Sequence, residues 1–440
     1  MESDFVEVTD CFADDRDSMN DFAKYFNNAH LSDITLRVGE EKFLAHRIIL
    51  CKSSEVFDRM LSNDWRKEDN ALLLNEDGDC QKVFANFLRF LYCNHIVLDS
   101  HNVLPLLILA DKYAVLGLQN VCVEYAVEKV LSQLCLRQLI HVWFRYSTTT
   151  FHEKLTEKCV NRVADKFAEL ISNNSDWEED WLNLDSDQLI ELLNSNELSL
   201  NNEFELWEAF RRWLKSPKHP NRANDPALAL KILPKIRFPF MSAEELAEVE
   251  ISDEFKKFED FLRPLTHQAF KYISMPLSSR ACCEDFNGLQ YVLREYKDNR
   301  WDKRILIDGD QLCQALQNRN EFHANFTTKA STYPRTHWEW QLTLRAAPST
   351  SSYLGASREL SVDLCALDMD QQRAVEFMLM VTDDQQILRT FVNKRTFTKS
   401  RSNFAFELDN RLTLAELTCP EGILLSRGKL NLQLMFRPIV

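Results

Sequence analysis

Glycine is scarce in this chain: eight residues in 440, none of them placed for a G-x-G-x-x-G turn or for the G-x-x-x-x-G-K loop that cradles phosphates. Nucleotide binding through those loops is thereby excluded. Neither the G-x-S-x-G elbow of a serine hydrolase nor the H-E-x-x-H helix of a zinc protease occurs. There is no C-x-x-C pair, so the twelve cysteines lack the spacing of a zinc site, and adjacent Cys282-Cys283 is not a sensible chelate by itself. No apolar run reaches the length of a membrane span; the longest, around Val103 to Leu109, is short and contains Pro105. A basic excess is missing too. Lys and Arg number 52 against 67 Asp and Glu, a net charge of −15, and nothing concentrates the cations strongly. A phosphate-binding surface needs such a footprint, so neither nucleic acid nor membrane is an expected partner.

The first residues, MESDFVEVTDCFADDRDSMNDF, are acidic where a secretory leader is basic and then apolar, which places the expected location in the cytoplasm or nucleus. Cys51, Cys93, Cys122, Cys135 and Cys159 sit inside apolar periodic segments, where cysteine acts as a small hydrophobe. The thiols are therefore read as reduced, and the sequons Asn173-Asn174-Ser175 and Asn325-Phe326-Thr327 as chance occurrences. His46, His95, His101, His141 and His152 have no carboxylate at metal spacing and read as solvated or capping residues. No cysteine has an identifiable base. The expectation is a protein that is not an enzyme and holds neither cofactor nor metal.

What is present begins at residues 32 to 68. Ile34, Leu36 and Val38 alternate with Thr35 and Arg37 in the rhythm of a strand, and Gly39-Glu40-Glu41 breaks it like a hairpin turn. Phe43-Leu44-Ala45 resumes a strand. From His46 the spacing turns helical: Ile48, Ile49, then Val56, Phe57, Met60 and Leu61, with Ser53-Ser54 free to cap between two short helices. Asp33 and Arg47 open the first strand and first helix among apolar neighbours. A charge in such a place needs a partner, because an unpaired buried charge costs several kcal/mol or more.

With F-L-A-H-R-I-I-L-C-K-S-S-E-V-F, then F-L-R-F-L-Y-C-N-H-I-V-L and L-A-D-K-Y-A-V-L-G-L in order, this part of the chain resembles a BTB/POZ domain. The resemblance implies a symmetric dimer with Asp33 and Arg47 as the charged pair of its cleft. The helix around Phe22 and Phe26, capped by Asn20, would pack across that dimer. It also implies a cullin-3 contact face at the end of the Val56–Leu61 helix, the loop after it and the helix bearing Tyr113, namely Met60, Leu61, Trp65, Glu68 and Tyr113. Trp65-Arg66-Lys67-Glu68 places the acid one residue late for the family's apolar-x-Glu loop. Trp65 and Tyr113 read equally well as aromatics of the core or rim.

Beyond Glu68 the pattern predicts a strand at Ala71–Leu74, a helix over Val83–Leu91 and a further strand at His95–Leu98. It then predicts helices over Asn102–Val115 and Leu118–Leu131, with Gly117 as a left-handed stop between them. From Ser132 to Glu250 amphipathic helices follow one another, with capping-box spacing at Asn202 and Glu205 and an exposed break at Ser216–Pro220. N-E-F-E-L-W-E-A-F-R-R-W-L and I-R-F-P-F-M-S-A-E-E-L in this region are similar to the BACK domain that follows BTB in many adaptors.

The last third changes character near Met275-Pro276. Trp338, Trp340, Leu342 and Leu344 alternate with His337, Glu339, Gln341 and Thr343, and a similar alternation is read at Leu360-Val362-Leu364, Phe377-Leu379-Val381, Phe404-Phe406-Leu408 and Leu430-Leu432-Leu434-Phe436. Short strands with polar turns predict an antiparallel β-sandwich, TRAF/MATH-like, and no ~50-residue kelch period is present. Y-P-R-T-H-W-E-W-Q-L-T-L-R-A-A-P and S-R-E-L-S-V-D-L-C-A-L resemble the C-terminal part of one group of BTB/POZ proteins whose vertebrate members are secreted.

The expected organisation is α+β and multidomain. It comprises a loose acidic segment 1–19, a BTB/POZ domain 20–131, an all-α BACK domain 132–250, a helical linker 251–275 and the sandwich 276–440. The resemblance implies a homodimeric adaptor recruiting a protein substrate through residues 276–440 to a cullin-3 ubiquitin ligase. Its alternative is a non-ligase scaffold or a secreted multimeric binding protein.

Overall fold

The computed structural model describes residues 22–62, 71–173, 175–318, 321–331, 336–348, 358–369, 371–398, 402–406 and 424–439. Residues 1–19, Asn20, Trp65, Glu68, Asn174 and Leu408 lie outside the described residues, as do the side chains of Leu360, Phe404 and Phe406. The chain divides into two compact units, Met1–Cys159 and Val160–Val440.

In the first unit, strand β1 (Ile34–Val38) buries Ile34, Leu36 and Val38 and turns back as β2 (Glu41–Ala45). The turn needs glycine. Gly39 has a φ of +55°, and a Cβ there would lie 2.5 Å from Gln81 Oε1. Strand β3 (Ala71–Leu74) adds in parallel on the other side, giving the order β2-β1-β3.

Helices α1 (Arg47–Ser53) and α2 (Glu55–Ser62) follow the change of period. Between them the Ser54 hydroxyl accepts the Phe57 N–H at 3.0 Å, so Ser54 is the cap. Helix α3 (Gly78–Cys93) buries the predicted stripe of Val83, Phe84, Phe87, Leu88 and Leu91. Helices α4 (Val103–Lys112), α5 (Leu116–Tyr125) and α6 (Arg145–Thr150) follow in this unit.

Two expectations fail here. Residues 95–98 form no strand. Gly117 lies inside α5, and the left-handed residue that ends α4 is Ala114, at φ +51°. The N–H of Val115 reaches back to the Ala110 carbonyl at 2.8 Å, the closing bond of a Schellman turn, so the hydrogen-bonding geometry and not the glycine sets the stop.

In the second unit, helix α7 (Ser186–Asn194) starts with a complete capping box from Asp185 and Gln188. Helix α8 (Glu203–Leu214) has half of one: Asn202 Oδ1 accepts the Glu205 N–H at 2.8 Å, while the Glu205 carboxylate takes the Asn201 amide instead. Helix α9 (Ala243–Ile251) is capped by Ser242 and Glu245, and α10 (Glu259–Ser274) and α11 (Leu277–Ala281) follow. A short parallel pairing joins β4 (Ser199–Leu200) to β5 (Glu295–Tyr296).

The remaining chain gives β6 (Asp302–Asp308), helix α12 (Gly309–Asn318), β7 (Glu321–Lys329), β8 (His337–Pro348) and β9 (Arg358–Ala366). Strands β10 (Arg373–Thr382), β11 (Ile387–Phe397), β12 (Ser402–Phe406) and β13 (Lys429–Ile439) follow. They make two four-stranded antiparallel sheets, β11-β10-β13-β6 and β12-β9-β8-β7. Trp338, Trp340, Leu342 and Leu344 of one share a core with Phe377, Leu379, Val381 and Phe436 of the other.

Strand β10 departs from the half-buried expectation, because both of its faces are covered. Met378 and Met380, with Met435 of β13, pack on Phe240, Tyr272 and Tyr291. The continuous apolar run Phe377–Val381 is what a strand buried on both faces looks like.

Candidate functional site

Asp33 is exposed and Arg47 partly so. Asp33 Oδ1 accepts the backbone N–H of Arg47 at 2.8 Å, satisfying a free amide of the first turn of α1. Among the described residues no ion pair joins the two side chains within the chain. Around them stand large apolar side chains in water: Ile48 is 78% exposed and Leu31 71%, with Phe22 also exposed. Phe26 is half-buried, its ring edge-on to Tyr92. A small patch of charge rimmed by unburied hydrophobes is the physical form of a surface that gains by being covered.

His46, beside Arg47, is buried with both ring nitrogens used. Nε2 lies 2.9 Å from the His30 carbonyl, which only accepts, so Nε2 donates and Nδ1 accepts from the Tyr92 hydroxyl, also 2.9 Å away. His152 also departs from the sequence reading. Its Nε2 lies 2.8 Å from Asp111 Oδ2, and the same carboxylate accepts the Tyr146 hydroxyl. Asp111 is 41 residues away in sequence, so spacing alone did not reveal it. The carboxylate clamps α4 to α6.

Of the residues expected at a cullin face, Met60 and Leu61 are half-buried at the end of α2. Tyr113 is not on a surface. It is 2% exposed, its ring stacked on Phe57 at 4.5 Å between centroids, and its hydroxyl donates to Glu76 Oε1 at 2.5 Å. Tyr113 follows α4 on the side facing Phe57, Phe84 and Phe87, which explains the burial.

The residues that sequence reasoning missed lie in the second unit. Glu203, at the start of α8, is fully buried and receives Arg294 Nη1 at 2.6 Å, the Tyr296 hydroxyl at 2.7 Å and the Arg237 backbone N–H at 3.0 Å. Arg294 also donates to the carbonyls of Leu193, Ser195 and Lys235, and the Arg237 guanidinium to Val292 O and Asn196 Oδ1. Burial opposes ionisation of Glu203, but Arg294 and Arg237 outweigh it and hold its carboxyl below the usual range. Burial, with the Arg294 charge second, pushes Arg237 down from its ordinary value.

Gln433 of β13 continues the seam. It accepts the Leu293 N–H at 2.8 Å and donates to Tyr291 O at 2.9 Å. The segment before β5 is thereby tied to the helices through buried charge and to the sandwich through the Gln433 amide. Glu203 and Arg237 belong to the two stretches that resemble BACK, which was the available signal.

Among the described residues no group of three or more His, Cys, Asp and Glu could hold a metal ion. No helix among them is long and apolar enough to cross a membrane.

A strand-and-helix module followed by a helical one defines a class of protein-interaction architecture, and the family models name it. The BTB/POZ domain model matches residues 22–130 and the BACK (BTB And C-terminal Kelch) model residues 140–250. The chain is a BTB/POZ–BACK protein. It is 27% identical over 289 residues to BTB/POZ domain-containing protein 17 of Xenopus laevis, covering 64% of this chain and 58% of that one. It is 29% identical over 286 residues to the Homo sapiens protein of the same name, covering 63% and 56%. The match thus spans less than two thirds of the length of these relatives. Among solved structures, the BTB domain of zebrafish PATZ1 is similar at 24% identity over 26% of this chain and 96% of its own, with a TM-score of 0.22.

Proposed function

We propose that the chain is a homodimeric adaptor, the substrate-recruiting subunit of a cullin-3 ubiquitin ligase, acting in the cytoplasm without catalytic chemistry of its own. The BTB/POZ domain, 20–131, dimerises through Asp33, Arg47, Phe22 and Phe26 and docks the cullin. The BACK helices, 132–250, and the linker, 251–275, set the spacing, and the sandwich, 276–440, TRAF/MATH-like in this reading, holds the protein substrate. The observation that supports it most is the seam around Glu203: a substrate module fixed to its helices positions whatever it holds. Two linked binding events then raise the local concentration of substrate lysines near the charged ubiquitin carrier.

Titration of the full chain with the N-terminal domain of cullin-3 tests this. Micromolar or tighter binding, weakened about tenfold or more by Trp65→Ala, is expected. No detectable binding removes the ligase and leaves the second reading, a non-ligase scaffold or secreted multimeric binding protein. That reading is favoured by the likeness to BTB/POZ domain-containing protein 17 and by the exposure of Asn325, in its sequon, on β7.

Dimerisation has its own check. Asp33→Asn keeps the oxygen that accepts the Arg47 amide and removes only the charge. Light scattering of the variant is expected to show a larger monomer fraction at low micromolar concentration, with an unchanged circular dichroism spectrum. A wild-type mass across the dilution series would remove Asp33 from the interface.

A further inference from the structure

Two cysteines stand side by side where α11 ends, and no base for either was visible in the sequence. Cys282 is exposed and Cys283 half-buried, and both thiols are free. Cys283 Sγ lies 3.9 Å from Asp285 Oδ2, and the same carboxylate oxygen takes the Lys271 ammonium of α10 at 3.0 Å. Asp285, with Cys283 after it, holds the Lys271 amine above its usual value, so it carries its charge at neutral pH. A thiol beside a fixed ammonium is of the reactive kind, because the thiolate is the nucleophile and the cation stabilises it. Both cysteines face a groove of about 970 Å³, a size that suits a small molecule. Phe286, Ile387, Leu388 and Thr390 share its wall, and Ile387 and Leu388 are only half-buried there.

We propose that this groove is a covalent site for a soft electrophile with an apolar tail, a medium-chain α,β-unsaturated aldehyde, and that Cys283 is its nucleophile. The Cys283 thiolate adds to the β-carbon and forms an S–C bond. The C=C π pair moves toward the carbonyl as an enolate, whose α-carbon then takes up a proton equal to the one the thiol gave to solvent. Thiol and aldehyde thus combine without loss of an atom, and no oxidant or reductant enters. Lys271 holds the thiolate against the charge of Asp285, and the tail lies along Ile387 and Leu388. A metal ion is disfavoured as the occupant, because among the described residues no group of three or more His, Cys, Asp and Glu could hold one. Neither the dimer nor a cullin contact takes part in this chemistry, so it stands or falls apart from the adaptor reading.

The test treats the full chain with trans-2-nonenal, reduces the adducts with borohydride and maps them by mass spectrometry over a time course. Cys283 is expected to react first, about tenfold faster than Cys135 and Cys282, although both are more exposed. Acrolein, the same electrophile without a tail, should lose most of that preference. Two single variants should move the rate at Cys283 in opposite directions. Lys271→Gln leaves the thiolate facing Asp285 alone and slows addition several-fold; Asp285→Asn leaves it facing Lys271 alone and speeds addition. Cys135 is the internal reference in each, and a merely structural role for the cluster would shift both variants the same way. Equal rates at Cys283 and Cys135, an undiminished preference with acrolein, or rate changes of one sign in the two variants would each overturn the proposal.

Discussion

Glu203→Ala is expected to destabilise the second unit by about 3–5 kcal/mol, the cost of breaking a buried ion pair by removing one partner, and to lower its thermal midpoint by roughly 10 °C. The reason is the absence of an alternative. Arg294 is fully buried with Glu203 as its only carboxylate among the described residues, and Arg237 and Tyr296 converge on the same group. Alanine leaves two guanidiniums facing each other in a site without water's dielectric. Glu203→Gln keeps the shape and one acceptor and should still lose most of the stability, because the missing charge dominates.

The linkage to pH has a definite sign. The folded carboxyl titrates below its usual value of 4.5, so its contribution is complete above that value and is lost as pH falls through the lower, folded one. Wild-type protein should therefore show a loss of stability on acidification below about pH 4.5 that the Gln variant lacks. Chemical denaturation followed by tryptophan fluorescence at a series of pH values would decide it. A Gln variant as stable as wild type at neutral pH would remove the seam from the account.

The same seam bears on where the chain can be cut. A boundary at Met275-Pro276 separates Glu203 from Arg294 and Tyr296, and Tyr272 from Met435, whose sulfur lies 3.1 Å from the Tyr272 hydroxyl. The change from helix period to strand period is visible at that point in the sequence, but the packing runs across it. Local pattern reports which element a residue belongs to; it does not report what covers the element's second face. That is why Trp338 and Trp340 were legible as core, while Met378 and Met380 were not assigned to a second core. Charge behaves likewise. Arg237 and Arg294 look like surface cations in the sequence, and only long-range contacts make them interior. The basic stretch from Arg389 to Arg401 was present in the sequence, yet the net charge of −15 concealed it.

Tyr113 was read from the sequence both as a contact and as a core residue, and its surroundings decide between the two. Tyr113→Ala removes a ring stacked on Phe57 and packed beside the tilted ring of Phe87, 4.5 and 5.3 Å between centroids, and should cost the first unit about 3–5 kcal/mol. Tyr113→Phe keeps the ring and deletes only the hydroxyl that donates to Glu76, whose side chain is buried and retains Lys112 at 2.9 Å. Its cost should be smaller, about 1–3 kcal/mol, the penalty of a buried acceptor losing one partner. The pair of variants separates fold from contact. If Tyr113 acts only from the core, the Phe variant, kept below its melting transition, binds the cullin domain as wild type does, while the Ala variant loses binding in step with its loss of structure. An Ala variant that melts within about 2 °C of wild type, too little for a cavity of that size, would return Tyr113 to the surface.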